Sequence, residues 1–220
     1  MRPNKIIEKW NAGQAAVNIF LSTPGSFTAE VMASLGWDGV TVDMQHGVND
    51  YSDLLPMLQG ITRYDPAPMV RVPWNDPAII MKSLDAGAYG IICPMINTAA
   101  ECESFVGACR YAPRGYRSTG PIRAVFYAGT DYHEHADKTI LTFAMIETQE
   151  AVDNLNGICS VPGLDAVYIG PSDLSVSIGG SPGGDQGAPD VMNWIEQTLE
   201  ACHRHGIKAG IHAMSSDYAN

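Results

Sequence analysis

Seven apolar runs rich in β-branched residues, each followed by a stretch of helical period or a loop, dominate this chain and leave few folds open to it. The runs are AAVNIFLS (15–22), GVTVDMQ (39–45), PMVRVP (68–73), YGIICPMI (89–96), LTFAMIE (141–147), AVYIGP (166–171) and KAGIHAM (208–214). Between them, residues 26–36, 50–62, 76–87, 98–111, 149–160 and 190–206 carry helical spacing. Asp76 before Pro77 and Thr98 ahead of Glu101 are start signals, and Gly36, Gly87 and Gly206 are stop signals. Strands that alternate with helices build parallel sheets. At 220 residues the pattern predicts an α/β fold, a (β/α)8 TIM barrel in one domain spanning 1–220. The last βα unit is expected to be missing, because the chain reaches SSDYAN where a seventh helix should begin. Residues 111–138 are expected to be irregular, since Pro113, Gly115, Gly120 and Pro121 break any period.

Charge and cysteine usage narrow the partners. A net charge of −11 repels nucleic acid and anionic membrane surfaces. No apolar run approaches the roughly 18 residues of a membrane span, and the amino terminus lacks an apolar signal region, so a cytoplasmic location is expected. The five cysteines are odd in number and form no Cys-x-x-Cys pair, which reads as reduced core thiols. An anionic small substrate would need a local positive device.

In a barrel of this kind chemistry sits at the carboxyl ends of the strands. The polar residues there are Asp43 and His46 after the second run, Arg71 in the third, Glu147 ending the fifth and Asp173 after the sixth. Two facing carboxylates repel unless one takes a proton or a cation lies between them, and oxygen-only ligation suits Mg²⁺ or Mn²⁺. Glu147 and Asp173 are therefore candidate metal ligands, with helix capping or ion pairing as the other reading. Arg71 is the candidate positive group, able to fork onto a carboxylate or steady an enolate oxygen; the alternative is a packed arginine paired with Glu147 or Asp173. Gly170-Pro171-Ser172-Asp173, a turn opening a short helix, would present backbone N–H groups to an anion.

Other ionisable residues are less suited to catalysis. Lys82 lies in a helix, while Lys138 and Lys208 precede strands, at the wrong end for imine chemistry. The pairs His133/His135 and His203/His205 lack a third ligand and read as solvated residues or helix-end partners. His212 faces the strand ends or is a satisfied core histidine.

The stretches GVTVDMQHG, VRVPWNDPAIIMKSLDAGAYGIICPM, RYAPRGYRSTG, AMIETQEAVDNL and VPGLDAVYIGPSDLS, in this order from Trp37 to Ser175, resemble the HpcH/HpaI aldolase family of metal-dependent, pyruvate-using class II aldolases. The resemblance implies a (β/α)8 barrel assembled as a homo-oligomer, a hexamer that exchanges its last helix. It implies a divalent cation, Mg²⁺ or Mn²⁺ with Co²⁺ as a further choice, on Glu147 and Asp173. It implies Arg71 on the keto oxygen, His46 as acid–base group steered by Asp85, often across an assembly contact, and the amides of Ser172 and Asp173 on the substrate carboxylate. Asp43 and Gln45 would support the cation from behind. Gln45 departs from the family's Asp-x-Glu-His pattern, which removes one negative charge. The implied reaction is reversible cleavage of 4-hydroxy-2-oxo acids to pyruvate and an aldehyde through a metal-bound pyruvate enolate. Decarboxylation of oxaloacetate through the same enolate, or a silent barrel that binds 2-oxo acids, are the alternatives.

Overall fold

The structure, a computed structural model, describes residues 1–219. Among the described residues seven strands are present: β1 (Asn18–Leu21), β2 (Gly39–Asp43), β3 (Ala67–Arg71), β4 (Gly90–Cys93), β5 (Leu141–Ile146), β6 (Ala166–Ile169) and β7 (Lys208–Ile211). Each falls inside or against one of the seven apolar runs, and their order in the sheet is chain order. The pairings β1–β2, β2–β3, β5–β6 and β6–β7 are parallel, as alternation with helices requires.

The chain divides into two compact units, Met1–Ile91 with Gly107–Leu141, and Ile92–Val106 with Thr142–Asn220. In the first, β2 and β3 are buried along their whole length, which is why they read as continuous rather than alternating apolar runs. The helices Tyr51–Ile61 and Pro77–Asp85 lay Leu54, Met57, Leu58, Ile61, Ile80 and Leu84 into this core. Both start where sequence chemistry dictates. Asp50 and Asp53 form a capping box, and Asp76 caps the amide of Ala78 ahead of Pro77.

In the second unit Ile146 registers with Ile169, and Ile169 with Ile211. The strand ends that matter for chemistry are therefore level across β5, β6 and β7. Thr148 caps the helix Gln149–Asp153, so the chain turns into a helix one residue after Glu147. Pro171 opens the helix Pro171–Ser177 directly after Gly170, as the sequence anticipates.

Two expectations need correction. The stretch 111–138 is not irregular throughout, because it contains the helices Ile122–Ala128 and Tyr132–Thr139. Pro121 stands at the N-cap of the first and Gly129, at φ 123°, at its C-cap, so the residues that break the period bound short helices rather than forbid them. The helix read over 149–160 is two, Gln149–Asp153 and Leu155–Cys159, divided at Asn154. At the carboxyl end Ser216–Ala219 is a short helix, where the sequence starts its seventh.

Candidate active site

Asp43 is the last residue of β2 and Arg71 the last of β3, and the parallel register makes them direct neighbours. Both are buried, at 1% and 8% exposure. The guanidinium donates Nε to Asp43 Oδ1 at 2.8 Å and Nη2 to Oδ2 at 2.6 Å, a two-pronged ion pair. Phe20 backs the guanidinium with its ring 5.0 Å away. The arginine that sequence reading offered either to substrate or to a distant acid is thus paired with Asp43, and its Nη1 carries no hydrogen bond among the described residues. Burial alone would raise the Asp43 carboxyl. The hydrogen bond and charge of Arg71, joined by the backbone N–H groups of Gln45 and His46, outweigh that and hold it below the usual carboxylate range.

Those two amides donate to Asp43 Oδ1 at 3.1 and 3.3 Å, so the carboxylate also shapes the loop that carries His46. Asn49 closes this loop from below, donating Nδ2 to the carbonyls of Leu21 and Asp43 at 2.8 and 2.9 Å. His46 itself is exposed. Gln45 Oε1 is buried with no hydrogen-bond partner, so the amide that stands where a family carboxylate was expected is left unsatisfied.

Asp85 closes the helix Pro77–Asp85, and its Oδ1 accepts from Arg117 Nη2 at 2.8 Å. Among the described residues no hydrogen bond or ion pair joins Asp85 to His46. The steering role that resemblance gave Asp85 is not made within the chain. Arg117 was not singled out from the sequence, although it lies in the quoted stretch RYAPRGYRSTG.

In the second unit Glu147 follows β5 at 2% exposure, and its Oε1 accepts the N–H of Met95 at 2.7 Å. Met95 holds φ 55°, a left-handed backbone that β-branched or bulky residues rarely adopt, and this turns its N–H onto the carboxylate. Gly170, level with Glu147 across β5 and β6, leaves the carboxylate its room, because a Cβ there would stand 2.9 Å from Glu147 Oε2 and push that side chain aside. Asp173 sits in the first turn of Pro171–Ser177, exposed, and makes no hydrogen bond or ion pair among the described residues. The N-cap Gly170 offers that helix no side-chain acceptor, and the first amides of a helix have no partner within it. Ser172 accepts the N–H of Gly183 at 3.3 Å, which ties the following loop back to the turn.

No group of three or more His, Cys, Asp or Glu positioned to hold a metal exists among the described residues. A hard cation that keeps waters and substrate oxygens needs only one or two carboxylates, and a buried, oriented Glu147 with a free Asp173 fits such a donor set. The remaining histidines take ordinary places. His133 stacks on Tyr111 at 4.4 Å, His203 and His205 end the helix Pro189–His205, and His212 Nδ1 lies 3.2 Å from the Tyr168 hydroxyl. Lys82 lies over the Tyr51 ring and Lys208 begins β7, so neither stands at a carboxyl strand end. No helix among the described residues is long and apolar enough to cross a membrane.

In each unit ionisable side chains stand at the carboxyl ends of parallel strands, as in the class of α/β proteins whose chemistry is carried on strand ends and the loops beyond them. Within that class the chain belongs to the HpcH/HpaI aldolase/citrate lyase family, whose model matches residues 17–220. It is 43% identical over 216 residues to the hydroxypyruvate/pyruvate aldolase of Rhizorhabdus wittichii strain RW1, covering 98% of this chain and 86% of that one. It is 33% identical over 211 residues to the 5-keto-4-deoxy-D-glucarate aldolase of Escherichia coli O157:H7 strain EC4115, covering 95% and 82%. A crystal structure of a family protein from Burkholderia cenocepacia J2315 superposes with a TM-score of 0.86 at 29% identity, covering 94% of this chain and 84% of the other. Relatives that bear the name aldolase indicate a lyase.

Proposed function

We propose that the protein is a divalent-metal-dependent class II aldolase that reversibly cleaves 4-hydroxy-2-oxo acids to pyruvate and an aldehyde, in a (β/α)8-type barrel domain. The observation that carries the reading is the buried Glu147 carboxylate, aimed by the Met95 N–H beside a Gly170 that leaves it room, with Asp173 free in the next turn. Family membership and the aldolase relatives support it.

Glu147 and Asp173 would hold Mg²⁺ or Mn²⁺, with Co²⁺ as a further fit. Such a cation supplies Lewis acidity toward a 2-oxo acid, which makes the protons beside its keto group removable. The amides of Ser172 and Asp173 bind the substrate carboxylate at the helix start. Arg71, kept in place by Asp43, uses its remaining Nη1 to share the negative charge that develops on the keto oxygen. In cleavage His46 takes the proton of the C4 hydroxyl, the C3–C4 bond breaks, a carbonyl forms at C4 and the electron pair passes to the enolate. Protonation at C3 releases pyruvate, and condensation runs the same steps backwards. Asp85 steers His46 from a second copy of the chain in a homo-oligomer, the hexamer that resemblance implies, which accords with its outward exposure of 38%. The substrate is a small molecule and the setting the cytoplasm.

Chelation with EDTA is expected to abolish pyruvate release from 4-hydroxy-2-oxo acids, followed by coupled lactate dehydrogenase, and Mg²⁺ or Mn²⁺ to restore it. Full activity in the chelated protein would overturn the reading. A finer test is Gly170→Ala, whose new methyl displaces Glu147 Oε2 while leaving the fold intact. Mg²⁺ affinity by calorimetry should fall about 10–100-fold, the range for changes that misorient a ligand, with the melting temperature close to wild type.

A further inference from the structure

We propose that Arg117 is a positioning residue for Asp85, holding one carboxylate oxygen so that the other is presented outward to the acid–base histidine. This rests on the role given to Asp85 above. The Arg117 side chain is fully buried, while that of Asp85 is 38% exposed. One end of the pair is therefore fixed in the protein and the other faces out. Asp85 closes the helix Pro77–Asp85, where the last carbonyls leave partial negative charge and disfavour an acid. A carboxylate there needs a local cation to stay in place, and Arg117 Nη2 supplies it at 2.8 Å.

The guanidinium is itself fixed. It lies 4.7 Å from the Tyr111 ring and 5.5 Å from that of Tyr132, and both hydroxyls are pushed up by burial, so they stay neutral beside it. Its backbone N–H donates to the Arg110 carbonyl at 2.9 Å. The turn that brings it there passes through Gly115, where a Cβ would stand 2.3 Å from the Gly107 carbonyl oxygen. Besides these groups, Asp85 is faced by Tyr51 of the helix Tyr51–Ile61, with Lys82 over the Tyr51 ring. Arg117 alone among them forms an ion pair with it.

The test compares steady-state kinetics of Arg117→Met, Arg117→Lys, Asp85→Asn and the double variant Asp85→Asn/Arg117→Met. Arg117→Met should lower kcat about 10–100-fold, the scale of a misplaced catalytic group, with KM for the 2-oxo acid unchanged. Arg117→Lys, which keeps the charge without the fork, should recover part of the loss and serves if the Met variant does not fold. In the Asp85→Asn background the second change should add less than about threefold, since residues that act as a unit are not additive. Wild-type kcat in both Arg117 variants, or a loss that repeats in full on Asp85→Asn, would overturn the proposal. An Asp85→Asn variant as active as wild type would instead remove the role of Asp85 on which it stands.

Discussion

Glu147→Gln is expected to lower kcat for pyruvate release by about 1,000-fold, because the several kcal/mol contributed by Lewis acidity is lost when a ligand loses its charge, and each 1.36 kcal/mol is tenfold in rate. The amide keeps the size of the carboxylate and an oxygen for the Met95 N–H, so the arrangement at 2.7 Å survives the change. Stability should separate the two effects. Glu147 is 2% exposed, and burying a charge is unfavourable, so the metal-free variant should melt at or above the wild-type temperature. Added Mg²⁺ should raise the melting temperature of the wild type, as any ligand of the native state does, and leave the variant unmoved. A variant that keeps more than a tenth of wild-type kcat, or that is stabilised by Mg²⁺ as strongly as wild type, would remove Glu147 from the ligand set.

The reason Glu147 could be picked out of the sequence at all is that an acidic residue ending an apolar run is conspicuous in a buried strand. Asp43 and Arg71 are legible in the same way, and so are β2 to β6, since full burial writes each of these strands as one apolar run. What the sequence does not carry is which side chains meet. Arg71 read equally well as a partner for Glu147 or Asp173. Only the β2–β3 register puts Asp43 beside it, and that register depends on packing in three dimensions. The Asp85–Arg117 pair is invisible for the same reason, its members standing 32 positions apart in the sequence. Helices Ile122–Ala128 and Tyr132–Thr139 were hidden because each has fewer than three turns, too short for a period to show between Pro121, Gly129 and the residues beyond. The N–H of Met95 leaves no trace in its side chain. A left-handed φ at a non-glycine residue is seen only in the backbone.

The second large effect is expected at Arg71, and it should appear in stability as well as rate. Arg71→Met removes the partner of a carboxylate that is 1% exposed, and breaking a buried ion pair on one side destabilises by about 3–5 kcal/mol. Its pH dependence has a definite sign. In the wild type the Asp43 carboxyl is held low, so its stabilising contribution is present above the unfolded value of about 3.9 and disappears as pH falls through the folded value. Without the guanidinium the upward push of burial prevails, and the carboxyl is held high in the folded variant. The variant therefore loses stability as pH rises through that window while the wild type does not. The gap between them should be widest near pH 7 and narrow as pH falls toward 4, closing fully only below the lowered folded value of the wild type, where both carboxyls are protonated. Urea unfolding at pH 7, 5 and 4 measures this, and a gap that stays constant across that range would show that Arg71 contributes through packing on Phe20 rather than through Asp43. Arg71→Lys keeps the charge but not the two-pronged geometry, so it should retain part of the stability. Its kcat should still fall by about 100-fold or more, because the ammonium cannot bond both Asp43 oxygens and also reach a developing oxyanion.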